Sequence, residues 1–145
     1  MIFTPKQIHF HMGSGKTSSP NDDGSEHTFS NKYYPLEMHI VHMNTIDTDA
    51  NKFIAAVVGI LFDVNNSTEF TGSFADTFFE KLLTTNEDID FQKDFIDHVN
   101  MIDRYVYTGS LTTPPYTENL LWNVIPRVIP IKQSTLELFS RSSNP

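Results

Sequence analysis

An almost uninterrupted apolar run, FIAAVVGILFDV at residues 53–64, constrains the fold of this chain more than any other feature. It contains several β-branched residues and no polar alternation, which is typical of a strand buried on both faces. We therefore predict a central strand here. Shorter stretches bounded by turn residues predict further strands at 7–12, 26–29, 35–43, 105–107, 120–125 and 128–131.

Helical patterns are fewer. Phenylalanine and leucine recur at helical spacing and predict a helix over about residues 73–84. The sequence STLE at 134–137 fits a capping box that begins a last short helix. The polar segment 86–103 predicts a surface loop. Since 145 residues without a repeat or linker amount to one domain, we predict a single domain over 1–145, mainly β with a few short helices.

Charge and composition exclude several classes of partner. The net charge is -8 and lysine and arginine form no cluster, which argues against nucleic acid and anionic membranes. No apolar run is long enough to cross a bilayer. The absence of cysteine excludes disulfides and thiolate metal sites. The first residues contain no apolar signal segment, which slightly favours a cytoplasmic location. If an N-terminal segment is missing from this sequence, we expect a secreted protein instead.

Two histidines one residue apart form the main candidate site. Residues i and i+2 of a strand point to the same face, so His9 and His11 present two imidazoles side by side. Two ring nitrogens are half of a tetrahedral zinc site. The predicted strand LEMHIVHMN offers a third ligand in His39 or His42. These two face opposite sides of their strand, so only one of them can join the pair.

Two polar residues could support these histidines. Gln7 and Glu37 precede His9 and His39 by two residues on the same faces, and each could hold the second ring nitrogen of a metal ligand. An isolated His-x-His pair is more often a chance pair on a strand surface, and the third histidine argues against that interpretation. A cupin-like barrel also uses His-x-His and a later histidine. Cupins typically have a glutamate soon after the pair, whereas residues 12–16 here contain no acid.

Three longer stretches carry a family resemblance. QIHFHMGSG, GSEHTFSNKYYPLEMHIVHMNT and YTGSLTTPPYTENLLW resemble the α-class carbonic anhydrases in order and spacing, and AAVVGILFDV is similar to their central strand. The resemblance covers roughly residues 7–140. It implies the central part of that family's large, twisted, mostly antiparallel sheet. It also implies a Zn²⁺ enzyme whose small-molecule substrates are carbon dioxide and bicarbonate.

The resemblance implies roles for individual residues. His9, His11 and His39 would be the zinc ligands. As catalytic residues, Thr112 would accept a hydrogen bond from zinc-bound hydroxide and pass its own proton to Glu26. Because a carboxylate only accepts, this pair would orient the hydroxide towards carbon dioxide.

The same resemblance implies a cis peptide bond between Pro114 and Pro115. It also implies two further sets of residues. The substrate pocket would be lined by Thr113, Val41, Val57, Leu111 and Trp122. The residues supporting the ligands from behind would be Gln7, Glu37, His27 and Tyr107.

The main departure from the family is length. The sequence begins just before the first zinc strand and ends near the last helix, so we expect it to be truncated at both ends relative to the family. Missing flanks would leave open sheet edges through which copies of the chain could self-associate. The alternative to an enzyme is a non-catalytic, carbonic-anhydrase-related fragment or partner-binding module. Such proteins typically lack a zinc histidine, whereas all three are present here.

Overall fold

The structure is a computed structural model that describes residues 2–13, 24–46 and 52–142. Its strands are β1 (Phe3–Met12), β2 (Leu36–Asn44), β3 (Ala55–Val64), β4 (Tyr105–Gly109), β5 (Leu120–Val124) and β6 (Ile129–Ile131). Its helices are α1 (Phe74–Thr84), α2 (Phe91–Asp94) and α3 (Gln133–Ser142), with a 3-10 turn at Ile96–His98. No helix in these ranges is long and apolar enough to cross a membrane.

The strands form one mixed sheet in the order β1-β2-β3-β5-β4, and β6 pairs with the end of β3. β2 is antiparallel to both β1 and β3, and β4 is antiparallel to β5. β3 is parallel to β5 and β6. The apolar run that predicts a central strand therefore lies in the middle of the sheet, and most of β3 is buried. The prediction of a mainly β chain with short helices is confirmed.

One face of the sheet is covered by helices. α1 begins at the N-cap Ser73, whose side chain accepts a hydrogen bond from a backbone N–H of the first turn. The buried carboxylate of Asp76 accepts from the backbone N–H of Ser73 at 2.7 Å, the backbone N–H of Lys132 at 2.8 Å and the hydroxyl of Thr135 at 2.5 Å. It thereby ties the start of α1 to the start of α3. The core between helices and sheet consists of Leu36, Met38, Ile40, Ile60, Phe62, Ala75, Phe78, Phe79, Phe95, Ile125, Ile129, Ile131, Leu136 and Phe139.

The segment 86–103 departs from its prediction as a surface loop. It contains α2 and the 3-10 turn, and Phe95 is fully buried in the core. Phe91 and Phe95 stack with their centroids 5.6 Å apart, because residues four apart meet on one helical face. The predicted strand at 26–29 is also wrong, since only an isolated bridge joins Phe29 to Lys32.

The opposite face of the sheet carries the polar side chains. In β2 the residues between the core positions, Glu37, His39 and Val41, point to this face and are themselves buried. At the far end of the described sheet, β4 is exposed along most of its length. The expected open edges therefore lie at β1 and β4 within the described ranges.

Candidate metal centre

The pairing of β1 with β2 brings three histidines together. In the antiparallel register His9 lies directly opposite His39, and His11 follows on the same face. Nε2 of His9 lies 3.2 Å from Nδ1 of His39, and Nε2 of His11 lies 3.1 Å from the same atom. His42 lies elsewhere, with its Nδ1 3.1 Å from the carbonyl of Ile40. The structure thus places His39, and not His42, beside His9 and His11.

The spacing of these nitrogens fits a tetrahedral zinc ion. Zinc–imidazole bonds of about 2.0–2.1 Å would separate neighbouring ligand nitrogens by about 3.3 Å. The two nitrogen–nitrogen distances of 3.2 and 3.1 Å are close to that value. The three ligand atoms lie within 4.8 Å of one another. The donor set of three imidazoles is also one that zinc accepts when a fourth position stays open.

Glu37 determines which nitrogen of His39 faces this centre. Its Oε1 lies 2.6 Å from Nε2 of His39, and both side chains are essentially fully buried. A carboxylate can only accept, so Nε2 carries the proton and donates it. Nδ1 of His39 is left with a free lone pair, which points at His9 and His11. This is the tautomer that a metal ligand needs.

A hydrogen-bonded chain extends from Glu37 away from the metal ligands. Nδ1 of His27 donates to Oε1 of Glu37 at 2.5 Å, and Nε2 of His27 accepts from the hydroxyl of Tyr107 at 2.7 Å. Burial, together with the charge of Glu37, raises the pKa of Tyr107, so its hydroxyl keeps the proton that it donates. The structure therefore brings Glu37, His27 and Tyr107 into one network, as three of the four supporting residues that the family resemblance implies.

His27, Glu37 and His39 also form a group with metal-binding spacing. Its carboxylate, however, already has its acceptor positions occupied. Oε1 of Glu37 accepts from both rings, and Oε2 accepts from the backbone N–H groups of Glu26 at 2.7 Å and His27 at 2.9 Å. Four hydrogen bonds fill the lone pairs of one carboxylate. We therefore interpret this group as a hydrogen-bond network behind the centre.

His9 and His11 differ in what lies behind them. Nδ1 of His11 lies 3.2 Å from Oε1 of Glu26. Nδ1 of His9 is buried and has no hydrogen-bond partner among the described residues. The expected support of His9 by Gln7 is therefore absent. Gln7 lies next to a register shift in β1, and its side chain is exposed.

The expected hydrogen bond between Thr112 and Glu26 is also absent from the described residues. Thr112 is exposed, and the carboxylate of Glu26 faces His11. The loop around Thr112 is closed by its own backbone, through hydrogen bonds from Leu111 to Thr117 at 2.9 Å and from Tyr116 to Thr113 at 3.0 Å. This loop contains the expected cis bond between Pro114 and Pro115.

An apolar pocket lies beside His9. It has a volume of about 460 Å³, and its lining includes His9, Val41, Leu111 and Thr113. Two other predicted wall residues lie beneath its surface. Val57 and Trp122 are each 1% exposed and pack with Val41 in a small apolar cluster. The indole N–H of Trp122 donates to the carbonyl of Ser110 at 3.0 Å, which fixes the ring under the pocket.

The charge state of the centre suits metal binding. Burial, with added repulsion from His39 and His11, lowers the pKa of His9 to about 4. Burial and His39 also lower the pKa of His11. Burial alone would raise the pKa of Glu37, but hydrogen bonds from the two neighbouring imidazoles hold it far below its usual range. At neutral pH His9 and His11 therefore offer lone pairs, and Glu37 is ionised.

Sequence reasoning missed one residue of this network, Gly59 in β3. A Cβ atom at Gly59 would lie 3.3 Å from Oε1 of Glu37 and 3.8 Å from Nδ1 of His27. The glycine therefore leaves room for the carboxylate and the ring to meet. A single glycine inside an otherwise apolar strand often marks such a close approach and could have indicated this one.

Comparison with known proteins agrees with this geometry. Residues 1–144 match the family model of the eukaryotic-type carbonic anhydrases, so the chain belongs to that family. It is 31% identical to human carbonic anhydrase 12 over 151 residues, which cover 92% of this chain and 39% of that protein. It is 35% identical to human carbonic anhydrase 6 over 136 residues, which cover 86% and 42%. For alpha carbonic anhydrase 7 of Arabidopsis thaliana the identity is 32%, with 92% and 43% covered.

The fold has a solved counterpart. The fungal alpha carbonic anhydrase of Aspergillus oryzae superposes with a TM-score of 0.66 at 27% identity, covering 96% of this chain and 54% of that one. The chain spans about two-fifths of the length of the curated relatives it matches.

Proposed function

We propose that this chain binds one Zn²⁺ ion through His9, His11 and His39 and catalyses the reversible hydration of carbon dioxide to bicarbonate and a proton. The observation that carries the proposal is the convergence of three imidazole nitrogens beside an apolar pocket, with Nε2 of His9 and Nε2 of His11 lying 3.2 and 3.1 Å from Nδ1 of His39. Membership of a family that is generally zinc-dependent supports the choice of metal. The absence of cysteine excludes thiolate donors.

Zinc at this position would supply Lewis acidity, which lowers the pKa of water to about 7 in carbonic anhydrases, the best-documented case of the effect. The residues of the chain do the rest. Glu37 holds His39 in the tautomer that directs Nδ1 at the metal. Three neutral imidazoles leave the dipositive charge of the ion uncompensated at its ligands, which favours the ionised form of water.

The pocket beside His9 supplies the second requirement, a place for the substrate. Val41 and Leu111 present apolar surface next to a metal ligand. Carbon dioxide has no net charge and little need of hydrogen bonds, so it can leave water for such a surface at low cost. Bicarbonate is charged and would be held weakly there, which favours its release.

One observation favours a second candidate, a zinc-binding module with little or no turnover. Thr112 is exposed and makes no hydrogen bond to Glu26 in the described part of the chain. Without that pair, Thr112 lacks the partner that would orient its hydroxyl towards a nucleophile, as the family resemblance implies. Positioning of this kind contributes strongly to reaction rates. Zinc binding and hydration must therefore be measured separately.

The test compares the wild-type chain with two histidine variants. Zinc per chain is measured by elemental mass spectrometry after exhaustive dialysis, and hydration of carbon dioxide by stopped flow. We expect about one zinc per chain in the wild type, none in His39→Ala, and unchanged zinc in the control His42→Ala, whose side chain bonds the carbonyl of Ile40 instead. Zinc without hydration would select the second candidate. Absence of zinc from the wild type would refute both.

A further inference from the structure

The contact between His11 and Glu26 has a different geometry from the one that the family resemblance implies. Oε1 of Glu26 lies 3.2 Å from Nδ1 of His11, the ring nitrogen that faces away from the metal ligands. Nε2 of the same ring faces His39. A carboxylate carries negative charge and has no proton to donate, so at this distance it favours the tautomer with the proton on Nδ1. Nε2 then carries the lone pair that a metal needs.

The backbone holds Glu26 in this position. Its N–H donates to Oε2 of Glu37 at 2.7 Å, and Glu37 is fully buried. The buried Ser25 accepts from the backbone N–H of Tyr34 at 2.9 Å and donates to the carbonyl of His27 at 2.7 Å. The segment on both sides of Glu26 is thus fixed, and its side chain extends from a rigid base towards His11.

We propose that Glu26 is a positioning residue that holds His11 for metal binding, as Glu37 holds His39. This inference rests on the zinc site of the proposed function. Two of the three ligands then have a carboxylate behind them, whereas Nδ1 of His9 has no partner in the described residues. Carboxylates in this position orient the ring and increase its basicity, and removing one typically weakens metal binding by about 10–100-fold.

The predicted size of the effect follows from exposure. The side chain of Glu26 is 34% exposed and that of His11 15%, so water weakens the contact. We therefore expect Glu26→Ala to weaken zinc affinity by about tenfold, the lower end of the usual range. Glu26→Gln keeps an oxygen acceptor but loses the charge, and a loss of roughly threefold is expected. The control Glu87→Gln removes an exposed acid outside the site and should leave the affinity unchanged.

The affinity is measured by competition between the intact chain and a chromogenic zinc chelator, at fixed pH and ionic strength. Nuclear magnetic resonance of the zinc-loaded chain adds a readout that a merely structural role would not change. The Nδ1 proton of His11 should give a protected downfield signal in the wild type, a shifted one in Glu26→Gln and none in Glu26→Ala. Circular dichroism verifies that each variant is folded.

Each outcome has a separate meaning. If the wild type binds zinc and Glu26→Ala binds it equally tightly, this inference is overturned while the proposed function stands. If the wild type binds no zinc, both fail together. Should Glu26→Ala not fold, the comparison of the wild type with Glu26→Gln decides, because an unchanged His11 signal and affinity would overturn the inference.

Discussion

The carboxylate of Glu37 should be among the most consequential in the chain for stability. Replacing it in Glu37→Gln keeps the shape but leaves one oxygen to serve four donors. The oxygen can satisfy two of them, and the new amide N–H groups face the other two. An unsatisfied buried polar group costs about 1–3 kcal/mol, so two such losses give about 2–6 kcal/mol. The side chain of His27 is 16% exposed, so water can partly satisfy its ring nitrogen. We therefore expect a loss of about 3 kcal/mol in the free energy of unfolding, in the lower part of this range.

The measurement is urea denaturation of the metal-free chain, followed by the fluorescence of its single tryptophan. Trp122 suits this purpose because its ring lies 4.8 Å from that of His39. With a denaturant slope of about 2 kcal/mol/M, the midpoint should fall by about 1.5 M without a change in slope. The control Glu80→Gln, on an exposed position of α1, should change stability by less than about 0.5 kcal/mol. A loss below about 1 kcal/mol in Glu37→Gln would refute the interpretation that all four hydrogen bonds to this carboxylate stabilise the fold.

Three further substitutions test other parts of the structure. Asp76→Asn should lower the free energy of unfolding by about 2 kcal/mol, because the buried carboxylate links α1 to α3 through three hydrogen bonds; an unchanged thermal midpoint would contradict this. Gly59→Ala should weaken zinc binding by up to about tenfold, since its Cβ would press on the carboxylate of Glu37; calorimetric titration with zinc measures the change, and wild-type affinity would show that the carboxylate has room. Phe95→Ala should cost about 3–5 kcal/mol in urea unfolding, because the ring is fully buried; a cost below about 1 kcal/mol would mean that the segment 86–103 is not part of the core.

The grouping of His9, His11 and His39 could be predicted from the sequence because it follows from the geometry of two neighbouring strands. A strand places residues two apart on one face, and antiparallel pairing supplied the third histidine from the adjacent strand. The position of Thr112 could not be predicted in this way, since it lies on a loop, where neither side-chain alternation nor strand pairing determines the direction of a side chain.

Two other features were hidden for related reasons. The buried Phe95 lies in a segment whose average composition is polar, and only the spacing of Phe91 and Phe95 indicates a helical turn. The register shift between Pro5 and Gln7 is an irregularity of the backbone. The alternation of side chains along the sequence does not indicate it.

The location of the three histidines on only two strands links metal supply to the integrity of the sheet. β1 has a single neighbour in the described sheet, and His9 and His11 face His39 across that one pairing. An ion held by all three residues would join the edge strand β1 to β2. It would add about 4 kcal/mol to the stability of the folded chain when free zinc exceeds the dissociation constant 1,000-fold. Loss of the ion would let β1 fray and uncover the hydrogen-bonding edge of β2. In the metal-free chain, the backbone N–H and C=O groups along that edge of β2 would then be open to water more often than in the metal-bound chain.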